Sequence, residues 1–224
     1  AAIALAAQDS VDDVRSLALR IARRHRVPVE PVVATLVRDP SALVRRECAV
    51  SLHRLKSADA TRLWVELARQ HDGKDRWYLE ALGIGEHKNE SPCFEAWLKA
   101  VGDDWNTPAG RDIIWRSRAP AAAGYLARLL VSADLPESEA PRLVRALDFH
   151  NGDAKQAALV SILAASSEER QWIFIEAYRR IDAAALAARP DLVEQVQAAI
   201  PHSKGTTIFV DLVAKYDRRD LAED

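Results

Sequence analysis

Apolar and small residues recur along this chain at i, i+3, i+4 and i+7, the spacing that gathers them on one face of an α-helix. Phe94, Trp97, Leu98 and Val101 keep that spacing, as do Ala122, Tyr125, Leu126 and Leu129, and again Phe209, Leu212, Val213 and Tyr216. No stretch holds the strict alternation of a half-buried strand. Residues 206–213 are rich in β-branched side chains, yet their apolar positions run on at helical spacing to Tyr216, so the segment reads as helix. Breakers punctuate the pattern at Pro28, Pro40, Gly73, residues 85–92 and 102–108, Pro120, Pro136, Gly152, Pro190 and Gly205. Between them fit roughly seven antiparallel helix pairs of about 32 residues each.

The first third carries a repeat. Asp9-Ser-Val-Asp-Asp-Val14-Arg15-Ser-Leu-Ala18 aligns with Asp39-Pro-Ser-Ala-Leu-Val44-Arg45-Arg-Glu-Cys48, and then with Asp72-Gly-Lys-Asp-Arg-Trp77-Tyr78-Leu-Glu-Ala81. The shared frame is Asp, four intervening residues, an apolar residue, usually Arg, and a small residue four beyond the apolar one. It resembles the second helix of a HEAT repeat and implies an all-α fold, a HEAT-like α-solenoid wound as a right-handed superhelix. In that frame Asp ends a turn and accepts hydrogen bonds from the orphan amides of the next helix. The apolar and small positions share the face on which a neighbouring helix packs. Asp9, Arg15, Asp39 and Arg45 are expected to form a structural ladder, each Arg reaching the Asp of an adjacent turn.

Composition changes this picture little. Low aromatic content and only 8 Gly in 224 residues suit helices. A formal net charge of −2 gives no global attraction to nucleic acid or anionic lipid, although residues 1–70 are net basic and the remainder net acidic. No apolar run reaches the roughly 20 residues of a membrane span, and no signal-peptide pattern opens the chain. The absence of Met and the mid-helix character of Ala1-Ala2-Ile3-Ala4-Leu5 read as a piece of a longer multidomain protein.

Candidate chemistry is sparse. Cys48 and Cys93 belong to no CxxC or Cys/His cluster. None of His25, His53, His71, His87, His150 and His202 has a second His at i+3 or i+4. Glu86-His87 occurs once and reverses the order of the His-Glu pairs of HEAT-repeat di-iron hydroxylases, and Asp148-Phe149-His150 reads as a helix C-terminus. Gly83-Ile84-Gly85 lacks the strand before it that a phosphate cradle needs and reads as a helix end closed by a left-handed glycine. No metal, haem or nucleotide is therefore expected in this segment. A lyase or hydroxylase of HEAT-repeat type would need acidic and histidine side chains converging on one face.

Two surfaces remain. The basic run Arg20, Arg23, Arg24, His25, Arg26, with Arg45 and Arg46, is the candidate for phosphate contact in a nucleic-acid-binding module, although it lacks interleaved aromatics. The six tryptophans are the other unusual feature. Trp77-Tyr78 and Trp115-Arg116 fall on the second helices of their pairs. Trp, Tyr and Arg are the residues that dominate interface energetics. Trp77, Tyr78, Arg111, Trp115, Arg116 and Arg145 thus form the candidate interaction surface.

Three stretches, Asp75-Arg-Trp-Tyr-Leu-Glu-Ala-Leu-Gly-Ile-Gly85, Arg111-Asp-Ile-Ile-Trp-Arg-Ser-Arg-Ala119 and Arg145-Ala-Leu-Asp-Phe-His150, resemble the HEAT-like region of large haem-binding CxxCH proteins typical of planctomycetes, often labelled membrane-bound dehydrogenases. The resemblance covers most of residues 9–216. It implies a propeller domain before the repeats and a cytochrome c-like domain after them. It also implies a periplasmic or cell-envelope location, and for this segment the role of a non-catalytic scaffold contacting flanking domains of the same chain or another protein. The chain itself has no CxxCH and no propeller strands.

Overall fold

The computed structural model describes residues 1–165 and 171–221; residues 222–224, part of the C-terminal run read as a link to a further repeat, and the side chain of His202 lie outside the described residues. The protein is all-helical, with fifteen α-helices and no strand among the described residues. None of these helices is long and apolar enough to cross a membrane. The chain divides into two compact units, residues 1–119 and 120–224.

The first unit holds α1 (Ala2–Ala6), α2 (Asp12–Arg24), α3 (Glu30–Leu36), α4 (Ala42–Ser51), α5 (Ala58–Ala68), α6 (Arg76–Gly85), α7 (Glu90–Val101) and α8 (Pro108–Arg116). Packing alternates along the sequence. Helix α2 lies against α4, α4 against α6 and α6 against α8, while α3 lies against α5 and α5 against α7. Buried side chains at helical spacing make each seam: Ala18, Leu19 and Ala22 on α2, Val44, Cys48 and Ala49 on α4, Leu63, Trp64 and Leu67 on α5, Phe94 and Trp97 on α7. Trp64 is fully inside because its indole N–H finds a partner, donating to the Leu82 carbonyl at 2.8 Å.

Helix starts are set by side-chain caps at Ser57, Asp75 and Thr107, whose oxygens accept from the amides of Ala60, Tyr78 and Gly110. Asp9 and Asp39 do not cap in this way. Each accepts from the amide two residues on, Val11 and Ser41, which are themselves the N-cap residues of α2 and α4. Asp72 makes the same short-range bond to Lys74, and Asp75 then caps α6. One extra residue therefore separates Asp72 from its helix. Counted from the cap, Tyr78 rather than Trp77 stands where Val14 and Val44 stand, and Glu86 stands where Ala22 and Leu52 stand.

Gly83 and Gly85 do not end α6 in a left-handed turn. Both are helical, and the positive φ falls on Lys88 (φ 70). A Cβ at Gly85 would lie 2.4 Å from the Ala49 carbonyl oxygen, so this glycine sets how closely α4 and α6 approach.

The second unit holds α9 (Pro120–Val131), α10 (Ala140–Ala146), α11 (Gly152–Ala164), α12 (Gln171–Arg180), α13 (Ala183–Ala187), α14 (Pro190–Ala199) and α15 (Thr207–Lys215). Helix α9 packs on α11, α10 on both α9 and α12, and α12 on α11 and α15. Leu126, Leu129, Leu143, Leu159, Leu163 and Tyr178 form its core. The β-branched segment that precedes Tyr216 is helical, capped by Thr206. Lys215 closes α12 by donating to the carbonyls of Tyr178 and Arg179.

Candidate interaction surface

Helix α6 presents Trp77, Glu80 and Ile84 on one face, at i, i+3 and i+7. Trp77 is 72% exposed and Ile84 42% exposed. The polar groups beside them are paired. Arg76 reaches Glu80 at 2.6 Å and lies over the Trp115 ring, 5.0 Å from its centroid. The second oxygen of Glu80 takes Arg116 at 2.9 Å. Partial burial works against ionisation of Glu80, but the two guanidiniums outweigh it and hold its carboxyl below the usual range. The Arg116 guanidinium lies directly on Gly83, where any Cβ would meet it at 2.1 Å. Arg118 then closes α8 by donating to the carbonyls of Trp115, Arg116 and Ser117.

Of the six candidate surface residues, this network joins Trp115 and Arg116, and Trp77 lies on the same helix as its centre. Arg145 is exposed in the second unit. Tyr78 and Arg111 are buried, so neither presents a contact surface. The Tyr78 hydroxyl donates to the Leu67 carbonyl at 3.0 Å and burial pushes its pKa up to about 12. Arg111 faces Asn106. Arg76 and Glu80 were not singled out by sequence; their i, i+4 spacing was the available signal.

The ladder has one carboxylate rung. Arg15 grips Asp39 with two bonds, 2.6 and 2.8 Å, and its remaining nitrogen reaches the carbonyls of Asp9 and Ser10. Arg45 repeats the carbonyl contacts, to Asp39 and Pro40, but finds no Asp in the next turn and lies over the Tyr78 ring at 5.6 Å. The basic run is partly spoken for: Arg20 and Arg23 both bind the buried Glu47.

Two buried polar groups belong to neither surface. His71 Nε2 meets Asp112 at 2.9 Å, its ring stacks parallel to Tyr78, and its Nδ1 has no hydrogen-bond partner. A small cavity of about 120 Å³ lies beside it, bounded by Trp97, Asp104 and Thr107. The pair ties the end of α5 to α8, and the buried imidazole is shielded from bulk solvent. Glu86 is 2% exposed with one carboxylate oxygen unpartnered, and burial pushes its pKa up to about 8 against the pull of Arg116. Burial likewise raises the thiols of Cys48 and Cys93, the latter to about 12, which keeps both protonated and unreactive. Among the described residues no group of three or more His, Cys, Asp or Glu side chains is placed to hold a metal ion.

Comparison with protein-family models, with curated proteins and with solved structures finds no match for this chain.

Proposed function

We propose that this protein is a HEAT-like helical-repeat scaffold that acts through contact with other protein surfaces, without a cofactor of its own. The alternating packing of α2, α4, α6 and α8 in the first unit supports the repeat reading, since each of these helices lies against the next one in the series. The observation that carries the contact role is Trp77. A tryptophan 72% exposed, beside a prearranged Arg76–Glu80–Arg116 network, offers a large apolar group whose surroundings need no reordering on binding. The resemblance of the chain to the repeat region of envelope dehydrogenase-like proteins makes flanking domains of the same gene product the first partners to test.

The test is photo-crosslinking in the full-length gene product, with a benzophenone amino acid replacing Trp77 and a control at Lys99. Specific crosslinks from position 77, mapped by mass spectrometry to a flanking domain or to one partner protein, are the expected result. Equal, diffuse crosslinking from both positions would refute the contact role.

A further inference from the structure

The turns that close α2, α4 and α6 share a feature that the Asp-Arg frame does not contain. Each ends in a histidine followed by a cation: His25-Arg26, His53-Arg54 and His87-Lys88. In all three the cation holds a left-handed backbone, with φ of 56°, 66° and 70°. That region favours glycine, so three cations there are unusual. The second and third turns are linked: the Arg54 amide donates to the His87 carbonyl at 3.1 Å, and the imidazoles of His53 and His87 stack 5.1 Å apart. Arg26, Arg54 and Lys88 are exposed and have no carboxylate partner among the described residues, unlike Arg15, Arg20 and Arg23 nearby.

Arg26 and His53, from the first two turns, line a groove of about 710 Å³, within the range of about 300–1,000 Å³ that ligand pockets span, while Arg54 and Lys88 stand outside its lining. Its walls are largely apolar, from Val27, Val50, Leu55 and Ile84, with Arg26, His53 and the Glu47-paired Arg23 as the basic lining. Glu30 is the acidic group on the wall, and the Ser57 hydroxyl donates to it.

We propose that the row and its groove bind an extended acidic peptide segment, a reading that rests on the scaffold role above and names the chemistry of the partner. Carboxylates would face Arg26, Arg54 and Lys88, and intervening apolar side chains would fill the groove. The spacing fits. Packed helices lie about 8–10 Å apart, and a chain extended as polyproline II, with three residues per turn and about 3.1 Å per residue, covers that distance in about three residues and keeps every third side chain on one face. Acidic residues at every third position therefore meet successive turns. A nucleic-acid strand fits less well, because no Phe, Tyr or Trp lines the groove for bases to stack on. Ile84 shares its helix face with Trp77, so a segment leaving the groove can continue along α6.

A cation at a helix C-terminus is also favoured by the helix dipole, and the experiment separates the two roles. The probe is a fluorescein-labelled peptide of twelve residues with Glu at every third position and Leu and Ser between, titrated with the whole chain and followed by anisotropy. Expected are micromolar binding that weakens with salt and a loss of about tenfold or more in the triple variant Arg26→Gly, Arg54→Gly, Lys88→Gly. Glycine suits the left-handed turns, so the variant keeps its melting temperature, and Lys74→Gly, at the other end of α6, leaves binding unchanged. Equal binding by the triple variant would reduce the cations to helix caps. Tighter binding of a single-stranded DNA twelve-mer would make the row a phosphate site, and absence of peptide binding up to millimolar concentration would dismiss the groove. Each of these leaves crosslinking at position 77 as an independent measurement of the scaffold role.

Discussion

Glu86 shows how much one side chain can depart from its place in a pattern. It stands at the helical position that holds Ala22 on α2 and Leu52 at the end of α4, and it is as buried as they are. Burial raises its carboxyl from 4.5 to about 8, Arg116 and Arg118 draw it down, and Glu90 pushes it further up. At neutral pH the folded protein therefore holds a proton on Glu86 that the unfolded chain releases. A raised acid pKa has a definite sign: the folded state binds the extra proton between pH of about 4.5 and 8, so stability falls as pH climbs through that window, by an amount on the order of a few kcal/mol. Glu86→Gln removes the titration while keeping the shape. Thermal unfolding at several pH values will show a flatter profile for the variant, with its largest advantage over the parent near pH 8. Parallel profiles for the two proteins would mean that Glu86 does not titrate in this window.

At the scale of helices, the decisive residues are those that set approach distances. Gly85→Ala would drive a methyl group to 2.4 Å from the backbone oxygen of Ala49, which cannot swing away. The overpacking cost of roughly 1–3 kcal/mol exceeds the ~1 kcal/mol that alanine gains over glycine within a helix. Urea unfolding will therefore show a lowered midpoint for Gly85→Ala and a smaller change for Gly83→Ala, where the obstacle is the mobile end of Arg116. The same two glycines explain what the sequence could and could not convey. Periodicity is local, so the helices around Phe94, Tyr125 and Phe209 were legible from spacing alone. Close approach between helices is not local, and Gly83-Ile84-Gly85 looks like a stop signal until Ala49 and Arg116 are seen against it. The Arg15–Asp39 rung followed from the repeat. The burial of Tyr78 and Arg111 did not, because one inserted residue rotates α6 and because the loop carrying Asn106 lies over Arg111. The three His-cation turns were visible as dipeptides, but their spacings of 28 and 34 positions hid them from a search for a fixed period.

For the whole molecule, the division at Ala119 and Pro120 has an experimental meaning. Glu86, the Trp77 face and the groove all lie in residues 1–119, within a unit that has its own buried core. Made alone, residues 1–119 are expected to unfold in a single cooperative transition by circular dichroism, with the same pH slope as the full chain. A broad, non-cooperative melt would show that this unit depends on the rest of the chain. The extra residue before α6 carries a last consequence. On that helix, what a side chain touches is decided by its distance from the cap at Asp75, not by its distance from the repeat's first Asp. The capped helix, rather than the fixed-length repeat, is thus the portable module. The turn before α6 carries one residue more than those before α2 and α4 while Tyr78 stays as buried as Val44, and an engineer who moves α6 into another helical protein must move Asp75 with it.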